Sequence, residues 1–161
     1  MSATGLDVFD RTLQTTNTWL GEIMQQIGPD RQVAWKVLGV VLHKLRDRLP
    51  VELSAHLGSQ LPLLVRGLYY DQYRPAGQPS DCRTLDAFVA EVAEWLSDSR
   101  PVDPKLAVEV VFRTLSRHVP RGQIDKVRSV LPGGLRAYWE NLEETEGPPP
   151  QDSGRATAAE I

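Results

Sequence analysis

A single cysteine, Cys82, stands in a chain of 161 residues, so neither a disulfide framework nor a cysteine-built zinc cluster is available. Histidines number three, and no HExxH pair, Gly-rich phosphate loop or GxSxG element accompanies them. No apolar run approaches the ~18 residues of a membrane span. The first residues lack the basic start and apolar core of a signal peptide. Runs with strand alternation are also missing. What remains is 41% hydrophobic and 24% charged, an ordinary globular balance that excludes a wholly disordered chain. The expectation is a cytoplasmic, helical protein.

The formal net charge of −3 conceals a segmental pattern. From Glu140 onward six acids face one base, Arg155, so this end carries −5 and residues 1–139 carry +2. Within that body, 30–73 and 103–139 are basic, at +2 and +4, while 1–29 and 74–102 stand at −2 each. A slightly basic body with an acidic appendage is the sequence-level picture.

Sliding the chain by 70 residues aligns 31–72 with 101–142 without a gap. Eight positions become identical: Val40/Val110, Val41/Val111, Leu45/Leu115, Pro50/Pro120, Ser59/Ser129, Leu61/Leu131, Pro62/Pro132 and Arg66/Arg136. Chance at ordinary composition would give roughly two or three. Upstream, Phe9, Leu13, Trp19 and Leu20 match Leu85, Val89, Trp95 and Leu96 at a shift of 76. An internal duplication follows, with each unit read as four helices.

In the first unit a helix is predicted from about Gly5 to Ile27, with Thr4 and Asp7 as a capping box and a stripe at Leu6, Phe9, Leu13, Leu20, Ile23 and Ile27. A second follows Asp30 and ends at Pro50, because a pre-proline residue is pushed out of helical geometry. Short third and fourth helices flank Pro62. The second unit repeats this plan, with Thr84 and Asp103-Pro104 as start signals. The organisation expected is all-α: about eight helices as two pseudo-repeated four-helix units packed into one domain. Unit one spans 1–73, a linker 74–83, unit two 84–142, and a disordered acidic, Pro-rich tail 143–161.

Candidate chemistry is thin. His43 and Asp47 lie four apart on one helix and would need His56 folded back on them to make a two-His-one-Asp site. Both lie off the apolar stripe, and a solvated helix surface is the simpler reading. Cys82 beside Arg83 reads as an incidental thiol. No catalytic, cofactor-binding or metal residues are therefore expected, and no cofactor. Arg66 and Arg136, matched across the repeat, would either cap a neighbouring helix C-terminus or form an anion site twice; the structural role is favoured. The basic strip His43, Lys44, Arg46 and Arg48, with Arg113, Arg117, His118 and Arg121, could meet phosphates, although acids are interspersed. Tyr70 and Tyr73 suit a protein interface, while Tyr69 is expected in the seam between units.

Several of these segments together resemble a known family. Leu45 to Pro50, Gln60-Leu61-Pro62, Arg66 to Tyr70, Val130-Leu131-Pro132 and Leu135-Arg136 are similar to the bacterial domain of unknown function family DUF2267, over about residues 6–142. The resemblance implies an all-helical tandem repeat of bacterial origin, and it carries no catalytic residue, cofactor or partner. Gly133-Gly134 departs from it, since better helix formers belong there, and is expected to loosen the last helix. The function expected is a non-enzymatic protein-interaction module with an unidentified protein partner and no membrane. Nucleic-acid or anion binding is the alternative. The expected interaction surface comprises Arg46, Arg48, Arg66, Tyr70, Tyr73, Arg117 and Arg136.

Overall fold

Proline and capping residues divide the chain into short helices. In the computed structural model, which describes residues 2–81 and 83–145, these are α1 (Asp7–Ile27), α2 (Arg31–Arg48), α3 (Val51–Ser59), α4 (Leu63–Tyr70), α5 (Leu85–Leu96), α6 (Pro104–His118), α7 (Arg121–Val130) and α8 (Gly133–Thr145). The protein is all-helical among the described residues, with the eight helices packed into one domain. Leu49 and Val119 are extended ahead of Pro50 and Pro120, which end α2 and α6 as expected. Asp30 caps the Gln32 and Val33 amides, Thr84 the Ala87 amide, and Asp103 the Lys105 amide.

The capping box expected at Thr4 and Asp7 does not form. Leu6 is the N-cap and offers no side-chain acceptor. Thr4 and Ser2 instead bond to Asp10, while Asp7 pairs with Arg11. Gly133 and Gly134 lie inside α8. That helix includes residues 143–145, and the rest of the expected tail lies outside the described residues, as does Cys82.

α2 and α6 form the centre and touch each other. α1 lies on α6 as well as on α2, and α5 lies on α2 as well as on α6. The first helix of each half is thus clamped on the second helix of the other. α4 packs on α1 and α2, α8 on α5 and α6, and the short helices α3 and α7 meet. One continuous core results, from Trp19 and Ile23 through Leu38, Leu42, Phe88 and Phe112 to Trp139. Phe112 and Trp139 stack with centroids 4.2 Å apart. Each fully buried large side chain contributes about 1.5–3 kcal/mol, and residues from both ends of the chain contribute to this core.

The 76-residue shift proposed for the first helices does not match their environments. Trp19 is buried, whereas Trp95 is 54% exposed beneath the Lys44 ammonium. At a shift of 69, Trp19 falls against Phe88 and Ile23 against Val92, all four buried, while buried Leu20 falls against half-buried Val89 and half-buried Ile27 against buried Leu96. The two shifts differ by about two helical turns, a slip that keeps an apolar stripe on an apolar stripe. In this register α5 would begin opposite Thr16, leaving the part of α1 before Thr16 unmatched.

Candidate interaction face

The unmatched part of α1 runs past the core with its stripe uncovered. Leu6, Phe9 and Leu13 follow the helical repeat expected from the sequence, yet they are 47%, 50% and 42% exposed. Thr12 fastens this extension to the body. Its Oγ1 accepts from the Leu64 amide at 3.2 Å, serving a free N–H of α4, whose N-cap Pro62 makes no side-chain cap bond. Leu63 and Leu64 are exposed beside it. Between α1, α2 and α4 lies a groove of about 350 Å³, with Leu13, Leu20, Trp35 and Leu64 as its apolar lining and Asn17 and Arg31 at its polar edge. The Arg31 guanidinium donates to Asn17 Oδ1 at 2.6 Å. Thr16, also lining the groove, has a buried Oγ1 with no hydrogen-bond partner among the described residues. Contiguous exposed apolar surface of this kind marks binding surfaces on folded proteins.

The residues singled out from the sequence occupy other places. Arg46 is 3% exposed. Its Nη1 donates to Tyr69 O at 2.7 Å and Asp71 O at 3.0 Å, its Nε to Asp47 Oδ1 at 3.0 Å, and its guanidinium lies over the Tyr73 ring. It therefore caps the C-terminus of α4 from inside. Arg48 is also buried, paired with Glu91 at 2.6 Å over the Phe88 ring. Neither presents its charge to solvent, contrary to the surface role expected. Amphipathic periodicity cannot separate a solvated arginine from one whose stem is buried while its head caps a helix.

Arg66 does cap a helix C-terminus: Nε donates to Gly58 O, and Nη2 to Ser59 O and Leu61 O. Arg136, its match, pairs along its own helix with Glu140 at 3.1 Å. Tyr70 is half-buried against Tyr69 and Tyr73. Tyr69 is fully buried, but its hydroxyl donates within the first half, to Ser54 O at 2.8 Å. Arg117 stands 3.5 Å from Glu22, and His118 joins the same carboxylate at 2.8 Å while stacking on Trp19. Burial alone would raise Glu22, but His118 and Arg117 outweigh it and hold the carboxyl below its usual range. Arg113 pairs with Glu109, and Arg121 with Asp125 and Glu143. Most of the basic strip is thus engaged with acids or backbone carbonyls.

His43, Asp47 and His56 do not assemble into one site. His43 Nε2 donates to Leu68 O at 2.7 Å, and burial lowers its pKa. Asp47 accepts from Arg46, and His56 is exposed on α3. Among the described residues no group of three or more His, Cys, Asp or Glu side chains is placed to hold a metal ion, and no helix is long and apolar enough to cross a membrane.

The apolar extension was legible as part of a stripe, but its exposure was not, because periodicity does not tell which turns have a neighbour. Comparison with known proteins adds one boundary. A family model described as "Uncharacterized conserved protein (DUF2267)" matches residues 16–138, so Leu6, Phe9 and Leu13 precede the matched region. No curated protein matches the chain.

Proposed function

The chain belongs to the DUF2267 family of uncharacterized conserved proteins, and from that premise we propose that it is a helical protein-interaction module without enzymatic activity. The observation that carries this reading is the uncovered apolar face of Leu6, Phe9, Leu13, Leu63 and Leu64 around the groove. Burying such side chains against a partner is favourable at about 25 cal/mol per Å², and leaving them in water has no structural benefit to the monomer. We place the protein in a bacterial cytoplasm and read its body as two copies of one helical unit. Support for the duplication comes from the eight identities at a shift of 70 and from helix starts at 51 and 121 and at 63 and 133. Nucleic-acid binding has weaker support, because Arg46, Arg48 and Arg128 are sequestered. Affinity capture from the source cell tests the reading. Proteins retained by the full chain and lost with Leu13→Glu are expected; an identical retained set with both baits overturns it.

A further inference from the structure

We propose that the occupant of this face is a second copy of the chain, bound in antiparallel fashion so that the overhanging turn of each α1 fills the groove of the other; the inference rests on the interaction reading above. Leu6, Phe9, Leu13 and Leu20 form one stripe on α1. With a two-fold axis beside Leu13, Leu6 stands seven residues before the centre and Leu20 seven after it. Leu6 of each copy then faces the groove floor of the other, where Leu20, 5% exposed, belongs to the core, and Phe9 faces Asn17 at the groove edge. A two-fold pairing closes on itself, so one surface supplies both the protruding element and its receptor. The space is present: a groove of about 350 Å³ admits a phenylalanine side chain.

Charge complementarity follows the same register. Asp10 lies three residues before the centre, and Ser2 and Thr4 bond to its carboxylate. Arg31, held on Asn17, has no carboxylate within ion-pair distance among the described residues. The antiparallel arrangement brings Asp10 of each copy towards Arg31 of the other, at both ends of the interface. The Thr16 hydroxyl, buried and without a hydrogen-bond partner among the described residues, lines the same groove. The family match begins at Thr16, so Leu6, Phe9 and Leu13 lie outside the matched residues.

Sedimentation velocity on the full chain tests the proposal. The face is small, so a dimer with a dissociation constant of about 1–100 µM is expected. Leu13→Glu should yield monomer with an unchanged melting temperature, because Leu13 is 42% exposed and a glutamate there meets water in the single chain. Phe9→Ser should weaken the dimer at least tenfold. Asp10→Arg and Arg31→Glu should each weaken it, and the double exchange should restore it. A wild-type monomer up to about 1 mM, about ten times the upper end of the expected range, overturns the proposal. So does a dimer that Leu13→Glu leaves intact, or a double exchange that restores nothing. A monomeric wild type whose captured proteins are still lost with Leu13→Glu removes only the second copy as occupant and leaves the interaction reading standing.

Discussion

The helix pair α2–α4 and the helix pair α6–α8 are locked by different chemistry. In the first half, Arg46 reaches under α4 to Tyr69 O and Asp71 O. Ser54 Oγ donates to Arg46 O, and the Gln78 amide, arriving from the linker, donates to Arg46 O, Leu49 O and Ser54 Oγ. The position 70 residues on from Arg46 is Ser116, whose hydroxyl accepts from Trp139 Nε1 at 2.8 Å. Where the first half has Tyr73, the second has Glu143, paired with Arg128 at 2.7 Å and Arg121 at 2.8 Å. One junction is a hydrogen-bond knot that also holds the linker; the other is the Ser116 hydroxyl between Trp139 and Glu143, beside a more open ion-pair cluster. The two helix pairs therefore hold their polar groups with different residues.

The largest expected effect comes from deleting the knot. Arg46→Ala would leave the buried Tyr69 carbonyl without this donor and remove the bonds to Asp71 O and Asp47, which lie nearer the solvent. Hydrogen bonds to charged groups are worth about 1.5–3 kcal/mol each, and part is recovered by relaxation, so a loss of about 2–4 kcal/mol is expected. Ser116→Ala removes the bond from Trp139 and the contact with the Glu143 carboxylate, for about 1–2 kcal/mol. Urea unfolding of the two variants measures both. Equal losses would break the comparison, because they would mean that the two junctions bear the same polar load.

The proline and capping punctuation that sets the helix boundaries was readable directly, since Pro50 and Pro120 act through local sterics. The inward turn of Arg46 and Arg48 was not, because it depends on where α4 and α5 lie, a tertiary fact. The register of the first helices was misread for the same reason: Trp19 and Trp95 share a residue type, and only the neighbour separates a buried ring from an exposed one. The uncovered face on α1 could not be found either, since Leu13 and Leu20 belong to one stripe and differ only in what covers them.

A finer test uses the one arginine matched across the halves. Arg66 holds three carbonyls at the end of α3, beside Gly58, where a Cβ would come within 2.9 Å of the Tyr70 ring. In the second half Arg128 replaces that glycine and Glu140 replaces Tyr70, so Arg136 turns to Glu140 instead. Arg66→Ala should cost about 1 kcal/mol through its carbonyl bonds, and Arg136→Ala at most about 0.5 kcal/mol as an exposed pair. Thermal melts of the two variants rank them. A larger loss for Arg136 would mean that identical residues, rather than their surroundings, set the roles.

The smallest expected effect separates the halves by pH. In the first half His43 is held neutral, its pKa lowered chiefly by burial, with the Leu68 carbonyl, Asp47 and Asp71 opposing. An unfolded chain takes up this proton more readily than the folded one below the ordinary value of 6.5. Stability is therefore fully present above 6.5 and declines as pH falls from there towards the lower folded value. Glu143 in the second half, and Glu22 on α1 against α6, behave differently. Burial would raise both, but Arg128 (with Ser116 and Arg121) outweighs it for Glu143, and His118 with Arg117 for Glu22, so both lie below the ordinary 4.5. Their contributions are complete above 4.5 and are lost only as pH falls through their own lower values. Acid unfolding should consequently show two slopes, an early one that His43→Gln removes and a later one that Glu143→Gln flattens. Urea midpoints measured from pH 7.5 to 3.5 in each variant decide it, and an early slope that survives His43→Gln would assign that titration to a group outside the first half's knot.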